Sequence, residues 1–284
     1  MGSNIEEGKG VTQANQTFFR IPHIHKGHEG VQSDFINGGI MWNDTSCFYD
    51  ALISLTCGIN GLNVSENIPA ILKVFHRADD AVVDSTVFHD REVGYYKKHL
   101  TDLYKGEGAV MAAFFNKDFV GEDIVEMVMS NLNTYLNKEK VGIQLELYDL
   151  NEIIGAEIKE MKLLSYLPVG RSRLERRLEK NVGEKMLLFA GEQAMSKSGI
   201  LVFLKRPDGA HVFASSGYIT DEDGSRELVI ADSTAKDIDF WPEDLVGKFF
   251  LGTHSKIRRN PYPSGDQVDY SLPLLLVKPD VIES

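Results

Sequence analysis

The residues change period at about position 143, and that change limits the fold more than any other feature of the chain. Upstream, from about 44 to 137, apolar residues recur at helical spacing. Phe48, Ala51, Leu52 and Leu55 fall at i, i+3, i+4 and i+7, one face of a helix. Asp44 or Thr45 is placed to cap its start and Gly58 to end it. SENIPAILKVFHRA follows, with Ser65 as an N-cap. EVGYYKKHLTDLYKG then closes on Gly106, and GEDIVEMVMSNLNTYLN carries Ile124, Val125, Val128, Met129, Leu132 and Leu136 along one side. Downstream, IQLELY, KMLLFA, GILVFLK, AHVFASSGYI, ELVIAD, GKFFLGT and LPLLLVK are short apolar or alternating runs bounded by Gly, Pro and Asp, which read as strands. PDG and DEDGS are hairpin turns between them, and GRSRLERRLEK is a basic helical segment between the first two runs. Helices first and strands second predict an α+β fold: a helical lobe over about 37–140 packed on an antiparallel sheet lobe over about 141–284. Residues 1–36 are polar and aperiodic and read as a loose N-terminal arm.

Charge narrows the partners. Thirty basic against forty-two acidic side chains leave a formal charge of −12, which argues against a nucleic-acid backbone or an anionic membrane as the main partner. The first residues, MGSNIEEGKGVTQANQ, lack the apolar core of a secretory signal. LPLLLV at 272–277 is far short of the roughly 20 residues of a membrane span. A soluble, cytoplasmic protein is expected. Cys47 and Cys57 make no disulfide framework, because ten residues of helix span about 15 Å. Two reduced thiols are the expectation.

Cys47 opens the first predicted helix, and a helix N-terminus favours the thiolate, the reactive form of cysteine. Burial as packing is the bland alternative. A thiol nucleophile needs a base, usually a histidine held by a third polar group. His23, His25 and His28 in HIHKGHEG lack clustered cysteines or carboxylates, so the zinc signal is weak. His76, His89 and His99 sit among charged residues and read as solvated. His211 differs, because it starts a strand after the turn RPDG, and Asp232 ends the return strand 21 residues later. An antiparallel hairpin brings the start of one strand beside the end of the other, so Asp232 can orient the imidazole. His254, in GTHSKIRRN, is the reserve base.

Two stretches resemble a known family. GGIMWNDTSCFYDALISL is similar to the cysteine box of the ubiquitin-specific proteases, and DGAHVFASSGYI with ELVIADST is similar to their histidine box. Together they cover about 50 of the 284 residues. The order Cys, His, Asp is that of papain-like folds. The resemblance implies a papain-like cysteine peptidase or isopeptidase that removes ubiquitin or a ubiquitin-like modifier, with no cofactor and no metal. Cys47 would attack, His211 would move the proton and Asp232 would hold the ring. Asn43 or the backbone N–H of Cys47 would stabilise the oxyanion. Gly217 and the DEDGS turn would sit near the cleft. The family has Gly and Tyr around its histidine where Ala210 and Val212 stand here, and its oxyanion Asn would fall at Trp42, one place before Asn43. No CxxC zinc ribbon is present. Two alternatives remain open: a deamidase, transglutaminase or acyltransferase working through the same thioester, and a catalytically inactive binding protein.

Overall fold

The computed structural model describes residues 17–22, 46–61, 70–71, 73–74, 77–78, 122–164, 171–206, 209–233, 235, 237–252, 267–268 and 274–280. In chain order the elements are β1 (Thr17–Phe18), α1 (Ser46–Asn60), α2 (Glu122–Lys138), β2 (Ile143–Tyr148), α3 (Leu150–Leu164) and α4 (Arg171–Met195). There follow β3 (Gly199–Arg206), β4 (Gly209–Thr220), β5 (Arg226–Ala231), β6 (Asp239–Pro242), α5 (Glu243–Phe250), β7 (Gln267–Val268) and β8 (Leu274–Pro279). The strands form one antiparallel sheet in the order β2-β8-β3-β4-β5-β6, with β1 added to β4 and β7 to β3.

Alternation along the central strands sends successive side chains to two separate cores. On one face Leu201, Phe203, Val212 and Ala214 pack with α1, with α2 and with Ile71, Val74 and Ala78. On the other, Ile200, Val202, Phe213 and Ile230 pack with α3, α4 and α5. There Phe213, Trp241 and Phe249 form an aromatic group, with centroids of Trp241 and Phe249 4.8 Å apart. The α+β class therefore holds, but the sheet lies between two helical layers rather than forming a lobe of its own.

Two expected strands are helices. KMLLFA lies inside α4 and GKFFLGT begins within α5. A short apolar run does not separate a buried helix from a strand, and longer spacing decides. Leu178, Val182, Met186, Ala190 and Ala194 recur every four residues and are all buried, so the basic segment and KMLLFA belong to one 25-residue helix. In α5, Val246, Phe249 and Phe250 face inward, with Pro242 at the N-cap and Glu243 and Asp244 in the first turn, where carboxylates suit the helix dipole. The DEDGS turn does join β4 to β5: Asp221 N–H donates to the Ser225 carbonyl at 2.8 Å, and Gly224 takes φ +84°. The Ser225 hydroxyl and backbone N–H hold the Asp223 carboxyl below its ordinary range.

Part of the polar N-terminal stretch is built into the sheet. Thr17 pairs with Tyr218 and Phe18 with Gly217, and Phe19 N–H donates to the Ser216 carbonyl at 3.2 Å. Phe19 and Ile21 pack against the α1 core. Gly217 makes this crossing possible: its φ is +124°, and a Cβ there would lie 2.1 Å from the Thr17 carbonyl oxygen. Gly217→Ala is expected to lower stability by about 2 kcal/mol, read from the urea midpoint; an unchanged midpoint would contradict the close crossing.

Candidate active site

Cys47 occupies the first turn of α1, as its sequence position suggested. Every residue from Cys47 to Cys57 is buried, so α1 is enclosed on all sides, as the inner helix of a layer must be. Both thiols are free of disulfide bonding, with Cys47 4% and Cys57 3% exposed. Phe48 stacks on Phe203 with centroids 6.0 Å apart and anchors the first turn to the sheet. Enclosure forces the helix's polar side chains to find internal partners. Ser54 Oγ donates to the Asp50 carbonyl at 2.9 Å, and Thr56 Oγ1 to the Leu52 carbonyl at 2.8 Å. Asp50, buried one turn from Cys47 on the same helix face, was not singled out from the sequence. The signal was there: one carboxylate inside an otherwise apolar helical stripe.

The hairpin brings His211 and Asp232 together. β4 and β5 are antiparallel, with Ala214 opposite Ala231, so Asp232 follows the last paired residue of β5 while His211 stands near the start of β4. Nε2 of His211 lies 2.9 Å from Oδ1 of Asp232, and each side chain is only 2% exposed. With the proton on Nε2, the ring donates to the carboxylate and Nδ1 is the nitrogen that would accept a proton from a thiol. Ala235 N–H donates to the Asp232 backbone carbonyl at 3.0 Å, in a turn that ends the strand. Ser233, next in the chain, is 5% exposed. Its hydroxyl, like those of Ser215 and Ser216, has no hydrogen-bond partner among the described residues. Unsatisfied buried hydroxyls are uncommon in folded proteins.

Helix α1 packs on β4, the strand that carries His211. Val212 and Ala214 share the core that holds Cys47, whereas Phe213 belongs to the opposite core. Alternation puts His211 on the Phe213 side of the strand. Asn43, Trp42, His23, His25, His28, His76, His89, His99 and His254 lie outside the described residues. Gly217 and the DEDGS turn do not flank the His211–Asp232 pair. They stand at the far end of the same hairpin, because β4 runs twelve residues from Gly209 to Thr220. Among the described residues no three His, Cys, Asp or Glu side chains gather as a metal site, and no helix is long and apolar enough to cross a membrane.

Compared with protein-family models and with curated proteins, the chain matches none.

Asp232→Ala removes the acceptor of a buried imidazole and is expected to cost about 2 kcal/mol of stability. Asp232→Asn keeps an oxygen in place and should cost less than half of that. Urea unfolding of the two variants decides; a negligible loss in both would mean that the hydrogen bond contributes nothing to stability.

Proposed function

We propose that the protein is a papain-like cysteine peptidase or isopeptidase with Cys47 as nucleophile, His211 as base and Asp232 as the group that holds the ring. The observation that carries this reading is the buried His211–Asp232 hydrogen bond of 2.9 Å on a strand packed by the helix that carries Cys47 in its first turn. In this chemistry the Cys47 thiolate attacks a carbonyl carbon and His211 holds the thiol proton. As the tetrahedral intermediate collapses, the C–N bond breaks and His211 passes that proton to the leaving amine. Water then adds to the thioester, giving a carboxylate and the restored thiol. The resemblance of the two boxes names ubiquitin or a ubiquitin-like modifier as substrate, in the cytoplasm of the protein's own cell or of a host. Asn43 or the Cys47 backbone N–H is the proposed oxyanion donor.

A second reading has one observation in its favour. His211 shares the strand face of Phe213, away from the core of Cys47, and both groups are deeply buried. A binding protein that uses the His–Asp pair only to tie two strand ends would look the same.

Ubiquitin carrying a C-terminal electrophile separates the readings by intact mass. A peptidase forms one adduct, lost in Cys47→Ala, kept in Cys57→Ala and slowed about 100-fold or more in His211→Ala. A wild-type protein that labels neither with ubiquitin nor with related modifiers is not a deubiquitinase. Labelling that survives His211→Ala but disappears in His254→Ala would move the base to His254.

A further inference from the structure

Strand β2 ends the described sheet on one side and β6 ends it on the other. An edge strand offers its outward N–H and C=O groups to any further strand. β6 is a blunt edge of four residues, the last of them Pro242. β2 is the longer edge: six residues, with Ile143 and Leu145 buried, Leu147 half-buried, and Gln144 and Glu146 exposed.

Asn133 of α2 stands against that edge. Its Nδ2 donates to the Leu145 carbonyl at 2.8 Å, and its Oδ1 accepts from the Leu145 N–H at 2.7 Å. These are the two bonds that one residue of an adjacent antiparallel strand would exchange with Leu145. Both main-chain groups of Leu145 therefore turn away from β8, and by alternation those of Ile143 and Leu147 turn the same way. Pro279, which has no N–H, stands opposite Ile143 on β8, in keeping with that register. An open hollow of about 240 Å³, lined by Asn133, Thr134, Asn137, Ile143, Gln144 and Asp280, lets solvent reach this edge.

We propose that β2 is a latent self-association surface, which Asn133 holds closed against a second copy of this chain. The occupant follows from the strand's own sequence. Antiparallel pairing about a two-fold axis at Leu145 sets Leu145 opposite Leu145, Ile143 opposite Leu147 and Gln144 opposite Glu146. Apolar residues then meet apolar ones on one face, and on the other no carboxylate faces a carboxylate. Glu146 is also paired with Lys278 of its own chain. A two-fold dimer needs one such self-complementary patch on each copy. The exchange between the two Leu145 residues replaces the two bonds given up by Asn133. Cys47 and His211 take no part, so the proposal does not depend on the peptidase reading.

The test is sedimentation velocity of the full chain over a range of concentrations. Salt of about 0.15 M screens the repulsion between copies of charge −12. Wild type is expected to stay monomeric. Asn133→Ala should dimerise with a Kd at least about tenfold below that of any wild-type self-association. The near-isosteric Asn133→Leu should do the same, and it serves where Asn133→Ala fails to fold. Adding Gln144→Glu puts a second carboxylate opposite Glu146 at both ends of the pairing and should weaken the dimer about tenfold; Gln144→Lys should not weaken it. A wild-type dimer, monomers of both Asn133 variants at every concentration, loss of folding in both, or a dimer indifferent to Gln144→Glu would overturn the proposal.

Discussion

Strand β4 is shared by everything that gives this molecule a site. Its even-numbered residues Val212 and Ala214 meet the core under α1, and Phe213 meets the core under α4 and α5. A strand covered on both faces cannot slip by one residue without exchanging the two sets of side chains. Its register with β3 and β5 is thereby fixed, and so is the place of His211 at its start and Gly217 near its end. The 2.9 Å contact to Asp232 follows from that register.

Burial gives the His211–Asp232 pair its chemical meaning. An imidazole hydrogen-bonded to a buried carboxylate gives each group a partner away from water, and a ring so held has one orientation. Helix α1 contributes the complementary piece. Because it is enclosed from Cys47 to Cys57, its first turn is held rigidly, and a thiol there sits where unpaired N–H groups favour negative charge. The same enclosure makes the hydroxyls of Ser215, Ser216 and Ser233 conspicuous, since they have no hydrogen-bond partner among the described residues and polar atoms in such surroundings are normally satisfied.

Much of this was legible in the sequence, for identifiable reasons. Alternation and turn residues mark β2, β3, β4, β5 and β8, and the DEDGS turn between two antiparallel runs places Asp232 near His211 from the sequence alone. KMLLFA and GKFFLGT misled because four to six apolar residues fit a buried helix as well as a strand. Only the four-residue spacing of Leu178, Val182 and Met186 resolves the first. The helical layer over the second sheet face was missed with them. Docking of Thr17–Phe18 onto β4 was not legible either, because a two-residue strand has no period. Its one trace was Gly217, whose need for a positive φ only the fold explains.

Site-resolved alkylation kinetics test most directly whether His211 activates Cys47. Under limiting iodoacetamide at neutral pH, the two cysteines of the native protein are followed separately by peptide mass. An activated Cys47 reacts at least about tenfold faster than the equally buried Cys57, and His211→Ala or Asp232→Ala removes the difference. Equal, slow rates at both cysteines, unchanged in His211→Ala, would show that the His211–Asp232 pair ties two strands together and activates nothing.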